Sequence, residues 1–173
     1  LTYVLRKRLK GKLIIFRRTT FGADKVVKMV AGMGCASVGI HSEKTAEENT
    51  ASLKSFKSGN IDVLVVTDTA FRRLELNRVD MIINFDLPTF SEHYVDRQSI
   101  AVPKAVVITF CAFEEKQMVR DIQELIDLKL VVEKNHPFVL DPKEFAAEVR
   151  RTEGTAKKSR KSANSKKKKK RWY

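Results

Sequence analysis

Cysteine and histidine are scarce in this 173-residue sequence, and their spacing offers no metal site. The two cysteines, Cys35 and Cys111, each lie in or beside an apolar run. We expect both thiols to be buried, which is typical of a reducing compartment and excludes the disulfide framework of a small secreted protein. The histidines (His41, His93 and His136) are far apart in the sequence. The sequence therefore predicts neither disulfides nor a bound metal.

Long apolar runs are also missing. The longest, such as Ala105 to Phe110, are far shorter than the roughly 20 residues that a membrane-spanning helix needs. No secretory signal opens the chain. Its first residue is Leu1 rather than methionine, which suggests a piece of a longer protein. These features predict that no membrane is involved.

Glycine-rich phosphate loops are absent as well. Neither G-x-x-x-x-G-K-[ST] nor G-x-G-x-x-G after a strand occurs among the seven glycines. The backbone amides of such loops cradle the phosphates of a nucleotide. We therefore expect no cofactor on this chain alone, and ATP only if an upstream domain supplies the phosphate loop.

Positive charge is present in excess, and it is concentrated at one end of the net +13 chain. Residues 150–173 carry 12 lysines and arginines against one acid, Glu153, which leaves 22 basic and 20 acidic residues in 1–149. A near-neutral body with a cationic arm indicates a polyanionic partner, most commonly nucleic acid. The composition beyond Thr152 cannot form a core, so we expect a disordered tail at 152–173.

The tail contains two basic clusters. They consist of Lys157, Lys158, Arg160 and Lys161, and of Lys166, Lys167, Lys168, Lys169, Lys170 and Arg171. Such clusters are equally typical of a nuclear or nucleolar import signal and of an arm that binds RNA phosphates, and the two functions are compatible. A tail that only improves solubility is the remaining alternative. We expect the nucleus and nucleolus as the location, ahead of the mitochondrial matrix.

Five short apolar runs recur along the chain, and most are β-branched and nearly continuous, as in strands buried on both faces of a parallel sheet. They span 13–16, 36–40, 63–66, 81–85 and 105–110. Helical patterns are present at 24–33, 45–57, 91–99, 114–128 and 141–150. The helix at 45–57 opens with a capping box made by Thr45 and Glu48. This alternation predicts an α/β, three-layer fold with a parallel sheet of five or more strands.

The predicted domain occupies 1–130, followed by a helical extension at 131–151 and the tail. In such folds ligands bind beyond the carboxyl ends of the strands. Here the loops at those ends begin at Arg17, His41, Thr67 and Asp86.

Six segments, in order, match the motifs of a known family. They are Leu13–Phe16 with Arg17-Arg18-Thr19, Ile40-His41-Ser42, Leu53–Gly59, Val63–Ala70, Val79–Pro88 and Tyr94–Arg97. Their order and spacing, over about residues 5–128, resemble the C-terminal RecA-like domain of DEAD-box RNA helicases. The resemblance implies a RecA-like fold, RNA as a ligand, and ATP as the nucleotide of the complete family member.

Three family motifs that contact ligands are altered. Where motif V reads A-R-G-[LIV]-D, Arg72 is retained, but Arg73 replaces the glycine. Glu75 replaces an aspartate that contacts the nucleotide's sugar in the family. The family's Q-x-x-R pair falls on Ala46 and Asn49. The resemblance therefore implies weakened RNA and nucleotide contacts.

Motif VI departs further. The family reads H-R-x-G-R-x-G-R, and Arg97 matches its first arginine. Ile100 and Pro103 stand where the family has the two arginines that reach the transferring phosphate, and a few residues are missing before Lys104. The resemblance thus implies a degenerate ATP site at Glu75, Arg97, Ile100 and Pro103, with no catalytic residue on this chain.

Candidate RNA-contacting residues of the body follow the predicted strands. They are Arg17, Arg18, Thr19, His41, Thr67, Asp68, Arg72 and Arg73. Arginine forks and strand-end amides suit phosphate oxygens. The alternatives are a structural role for His41, a helix cap for Thr67 and Asp68, and ion pairs with nearby acids for the two later arginines. Arg97 is expected to be structural, bonded to carbonyls or acids in the core.

Together these features predict an RNA-binding, catalytically inactive helicase-like domain, a structural or assembly factor in a ribonucleoprotein such as a ribosome precursor. Its partners would be RNA, ribosomal in the first instance, and proteins of that particle. The chain alone is expected not to be an enzyme. Two alternatives remain: the C-terminal half of an active ATP-dependent RNA helicase, and a protein-docking module whose tail serves only for import.

Overall fold

The computed structural model describes residues 1–9, 11–76, 78–133 and 136–137. Residues Leu1–Lys129 form one compact unit, the first of two into which the chain divides. All the helices and strands given below lie in the first unit. The helix predicted at 141–150 and the tail at 152–173 lie outside the described residues.

Strands and helices alternate along the chain, as the sequence predicts. The strands are β1 (Leu13–Arg17), β2 (Ser37–Ile40), β3 (Val63–Thr67), β4 (Val79–Asn84) and β5 (Ala101–Thr109). The helices are α1 (Thr2–Arg8), α2 (Thr20–Ala31), α3 (Ala46–Lys57), α4 (Asp68–Phe71), α5 (Glu92–Gln98) and α6 (Lys116–Ile126), with a short 3-10 turn at Phe113–Glu115.

The five strands form one parallel sheet in the order β2-β3-β1-β4-β5. This confirms the predicted α/β class and the parallel sheet. The chain builds β2 and β3 on one side of β1 and then crosses to build β4 and β5 on the other. Loops that leave the carboxyl ends of β1, β3 and β4 therefore meet around the central strand, which is where doubly wound sheets bind ligands.

Alternate side chains of the central strand enter two separate cores, as the period of a strand requires. Leu13 and Ile15 pack with residues of α1 and α2, whereas Ile14 and Phe16 pack with residues of α3 and α4. All four side chains are fully buried. Each such burial stabilises the fold by about 1.5–3 kcal/mol. Because helices cover both faces of the sheet, side chains on both faces of a strand are buried, and this explains the continuous apolar runs in the sequence.

Several boundaries differ from the sequence predictions. Helix α2 begins at Thr20, four residues before the predicted start, because Thr19 caps it by accepting a hydrogen bond from the Gly22 amide. The capping box of α3 is confirmed. Helix α1 was not predicted, although Leu5 anchors it in the core. Strand β5 begins at Ala101, four residues early, and includes a bulge.

The expectation of two buried thiols was wrong. Cys35 is only partly buried and Cys111 is exposed, and both are free. Cys111 follows the end of β5 at Thr109, so it lies in a loop beyond the sheet. Partial burial and the nearby carboxylate of Glu115 raise the pKa of the Cys111 thiol. The thiol therefore stays protonated and is a poor nucleophile at neutral pH.

A tight turn before β1 depends on Gly11. Its φ of +69° lies in the left-handed region, and a Cβ there would clash with the carboxylate of Asp80. That carboxylate accepts a hydrogen bond of 2.8 Å from the Lys12 amide. The turn thus fixes where β1 enters the sheet beside β4.

We predict that Gly11→Ala destabilises the protein more than Gly59→Ala does. Gly59 also has a positive φ, +82°, but nothing lies within 4 Å of a Cβ built there. The control variant should therefore lose only the backbone cost of about 1–2 kcal/mol. Gly11→Ala should lose at least about 1 kcal/mol more, since the Asp80 hydrogen bond is displaced. Chemical denaturation measures both, and equal losses would contradict this account of the turn.

Candidate nucleic-acid and nucleotide interface

The carboxyl ends of three strands bring most of the candidate residues to one edge of the sheet. Arg17 of β1 is paired in register with Thr67 of β3, and Phe16 is paired with Asn84 of β4. Arg18, Asp68 and the loop at Asp86 follow directly. The predicted convergence of these loops is confirmed, and it defines the carboxyl edge, meaning the ends of β1, β3 and β4 with the loops that follow them.

Arg97 is the centre of this edge. Its side chain is 1% exposed. It donates to both carboxylate oxygens of Asp68, at 2.8 and 2.7 Å, and to the Asn84 side chain and the Asp86 carbonyl, at 2.8 and 3.0 Å. Its guanidinium lies 4.6 Å from the centroid of the Phe16 ring. The predicted structural role of Arg97 is confirmed. Both carboxylate oxygens of Asp68 accept hydrogen bonds from its guanidinium.

Asp86 organises the two arginines at the carboxyl end of β1. One of its oxygens accepts from Arg17 Nη1 at 3.1 Å and the other from the Arg18 amide at 2.8 Å. The Arg17 guanidinium also stacks on Phe85, 4.2 Å from the ring centroid, and the side chain is only 17% exposed. Arg17 is thus largely committed to the fold, which leaves little of it to contact a phosphate.

Arg18 is more accessible, with a side chain 55% exposed. It donates to the Leu87 carbonyl at 3.2 Å and to Glu115 at 2.9 Å. An ion pair this exposed contributes little to stability and exchanges readily. Of the two arginines predicted after β1, Arg18 is therefore the better placed for a phosphate.

His41 lies at the end of β2, and its ring is 2% exposed. Its Nε2 is 3.0 Å from Asp24 Oδ1. The Asn49 amide group accepts from the His41 backbone N–H at 3.3 Å and donates to the His41 carbonyl at 3.0 Å. The geometry favours the structural interpretation of His41. It also shows that Asn49, at the position of a family RNA contact, serves to hold this loop.

The threonines have different local roles. Thr19 accepts from the Gly22 amide and so caps α2. Thr67 is 5% exposed and precedes α4, but its side chain makes no capping hydrogen bond. Thr67 therefore keeps the phosphate interpretation open, whereas the hydroxyl of Thr19 is used within its own helix.

The described residues contain no group of three or more side chains that could hold a metal ion. Across the same ranges, no helix is long and apolar enough to span a bilayer.

Residues 1–101 match the model of one family, the helicase conserved C-terminal domain. The match covers more than half of the 173-residue chain. The chain belongs to this family.

Known relatives of this helicase C-terminal domain are larger RNA helicases. The pre-mRNA-splicing ATP-dependent RNA helicase prp-28 of Neurospora crassa is 32% identical over 122 residues, 69% of this chain and 17% of the relative. The ATP-dependent rRNA helicase RRP3 of Debaryomyces hansenii is 34% identical over 97 residues, 56% of this chain and 20% of the relative. The chain thus spans about a fifth or less of their length.

A solved structure supports the same assignment. The RNA helicase Prp28 of Chaetomium thermophilum, bound to ADP, is similar with a TM-score of 0.65 and 27% identity, over 73% of this chain and 32% of that one. These comparisons confirm the RecA-like fold and the predicted resemblance to a DEAD-box C-terminal domain.

The altered motif VI of this helicase domain contributes to the core. Ile100 is 6% exposed and packs with Val79 and Ile82. Its carbonyl accepts from the Val79 amide at 3.0 Å, at the first residue of β4. Because β4 has six residues, this point lies about 16–17 Å from the carboxyl end of that strand. Pro103 is exposed in the bulge of β5.

The altered motif V presents its residues to solvent. Arg72, Arg73 and Glu75 are all exposed after α4. Arg72 was predicted either to face RNA or to pair with a nearby acid, and the structure places His93 beside it, with His93 Nδ1 3.4 Å from Arg72 Nη2. Sequence reasoning missed both His93 and the exposed ring of Phe90 beside it. An aromatic residue in a polar loop after Asp86-Leu87-Pro88 was the available signal.

We predict that Arg97→Ala lowers the free energy of unfolding by about 3–5 kcal/mol, because it leaves the Asp68 carboxylate without its cation. Arg97→Lys should recover little of this loss. One ammonium group cannot make the hydrogen bonds that the planar guanidinium donates to both Asp68 and Asn84. Arg72→Ala, an exposed control, should change stability by less than about 0.5 kcal/mol. Urea titration tests all three variants. A lysine variant as stable as the wild type would show that charge alone suffices.

Proposed function

We propose that this helicase C-terminal domain binds single-stranded RNA without supporting ATP turnover and acts as a structural or assembly factor in a ribonucleoprotein. The observation that carries the proposal is the environment of Ile100, whose side chain is buried in the apolar core with Val79 and whose carbonyl accepts from the Val79 amide at the start of β4. No cation is present at the two positions where the family places its phosphate-contacting arginines.

The energetic consequence for phosphoryl transfer is large. An arginine that neutralises the transferring phosphate is worth about 10³ to 10⁵ in rate. At the carboxyl edge, Arg17, Arg18 and Arg97 already pair with Asp86, Glu115 and Asp68. These pairs leave Arg17 and Arg97 unable to replace the missing arginines without breaking contacts that hold the fold.

Ribosome precursors and the nucleolus are the particle and location that we propose. The lysine clusters of the tail suit an import signal and a phosphate-binding arm. One relative named above acts on rRNA and another in pre-mRNA splicing. Because these two relatives differ in the RNA that their names give, a ribosomal RNA partner is the narrower part of the proposal.

The second candidate is the C-terminal half of an active ATP-dependent RNA helicase. The relatives favour this candidate, because they are named as ATP-dependent helicases. So does the retained cluster of Arg97, Asp68 and Asn84, which keeps the ends of β3 and β4 in place. The two candidates differ in one measurable property, which is turnover of ATP when a phosphate loop is supplied.

We predict that residues 1–129, joined to the N-terminal domain of an active DEAD-box relative, hydrolyse ATP at least about 10³-fold more slowly than that relative does. The control is the same fusion with the relative's own C-terminal domain, assayed with saturating RNA. RNA-stimulated turnover within tenfold of the control would favour the active helicase. Loss of that turnover in the double variant Arg72→Ala, Arg73→Ala would then show that it depends on this domain, and would establish the active helicase.

We predict that the tail supplies most of the salt dependence of RNA binding. The ten lysines and arginines between residues 157 and 171 should each contribute about −0.7 to the log–log salt slope when they contact a phosphate of single-stranded RNA. Removal of 152–173 should flatten the slope by several units, as measured by fluorescence anisotropy from low to moderate salt. An unchanged slope and affinity would restrict the tail to import.

A further inference from the structure

Phe90 is a large apolar side chain that the fold leaves in solvent. It lies in the loop between β4 and α5 and is 60% exposed. A single exposed apolar residue is common and needs no explanation by itself. Phe90 differs because its ring is part of an ordered group at the carboxyl edge.

The group contains His93 and Arg72. The Phe90 and His93 rings make an edge-to-face contact with centroids 5.4 Å apart and planes at 88°. The His93 amide also donates to the Phe90 carbonyl at 3.2 Å, so backbone and rings hold each other. A T-shaped contact uses one face of one ring and the edge of the other. At least three of the four ring faces are therefore not used by this contact.

Arg72 lies beside His93, with Arg72 Nη2 3.4 Å from His93 Nδ1. A guanidinium offers only hydrogen-bond donors, whereas an imidazole can offer both a donor and an acceptor. The group thus combines exposed aromatic faces, an imidazole and a guanidinium.

From this arrangement we infer that Phe90, His93 and Arg72 form a stacking platform for an unpaired nucleobase of single-stranded RNA. The base stacks on Phe90, the His93 imidazole forms a hydrogen bond to it, and Arg72 contacts the neighbouring phosphate. The inference rests on the proposed RNA-binding function and names the part of the RNA that the body recognises.

The chemistry of the platform fits a nucleobase better than an apolar peptide. Every base offers a π face, and proteins that bind single strands combine aromatic rings with cations in this way. Arg72 ends α4, which follows β3, and His93 lies in the first turn of α5, which follows β4, on either side of the central strand. Both residues therefore belong to the carboxyl edge, where the candidate phosphate-contacting residues lie.

Phe21 provides a matched control. It is 68% exposed, slightly more than Phe90. The ammonium of Lys25 lies over its ring, 4.4 Å from the centroid, so one face is covered. Phe21→Ala therefore removes a comparable exposed apolar side chain and leaves Phe90, His93 and Arg72 unchanged.

The experiment measures the affinity of the full chain for two RNAs, a ten-uridine strand and a ribose decamer of the same length without bases. Both carry the same phosphates, so contacts made by the tail cancel in the comparison. Phe90→Ala should weaken binding of the uridine strand by about tenfold and leave binding of the abasic strand unchanged. Phe21→Ala should change neither affinity, and Arg72→Ala should weaken both.

A second variant reports stacking directly. Trp172 is the single tryptophan of the chain. In a Trp172→Phe background, Phe90→Trp creates one indole on the platform, whose fluorescence the uridine strand should quench and the abasic strand should not. Thermal melting of each variant should match the wild type, because the ring is mostly exposed.

The outcomes separate the two proposals. If the wild type binds the uridine strand but Phe90→Ala has no effect, or weakens both RNAs equally, the platform is not a base site, although RNA binding stands. An equal loss for Phe21→Ala and Phe90→Ala would also overturn the platform. If the wild type binds neither strand, the proposed RNA-binding function falls, and the platform falls with it.

Discussion

The buried guanidinium of Arg97 is the interaction on which this domain depends. A cation that is 1% exposed must find its partners within the protein, and here they come from three places: Asp68 after β3, Asn84 at the end of β4 and the Asp86 carbonyl. Each partner is useful only if its strand ends at the right depth. The cluster therefore holds α5 against the sheet and aligns the carboxyl ends of strands on both sides of β1.

A second consequence concerns charge. Asp86 and Glu115 neutralise the two arginines at the carboxyl end of β1, as Asp68 neutralises Arg97. The body is close to neutral, and most of the excess positive charge lies beyond residue 150. Under the proposed function, the tail supplies long-range attraction to RNA, whereas the carboxyl edge supplies short-range contacts. Phosphate attraction carries no sequence information, so any discrimination must come from the edge.

The altered motif VI illustrates why a substitution has to be judged in its structural setting. Ile100 does more than remove a positive charge, because its side chain is part of the apolar core and its carbonyl bonds to the start of β4. Position 100 is therefore part of the apolar core, whereas the guanidinium of Arg97, three residues earlier, lies at the carboxyl edge.

The sequence by itself determined the class of fold, because the patterns that indicate buried strands, the capping box and the helix periodicity each involve only a few neighbouring residues. It also carried the family motifs. Only the tertiary structure decided which arginines are available. Arg17, Arg18, Arg72 and Arg97 all lie in motifs or follow strands, but Arg17 and Arg97 are held by acids 69 and 29 residues away. The Phe90, His93 and Arg72 group likewise joins positions 21 residues apart. A side chain's partners depend on which loops the sheet brings together, and no local pattern records that.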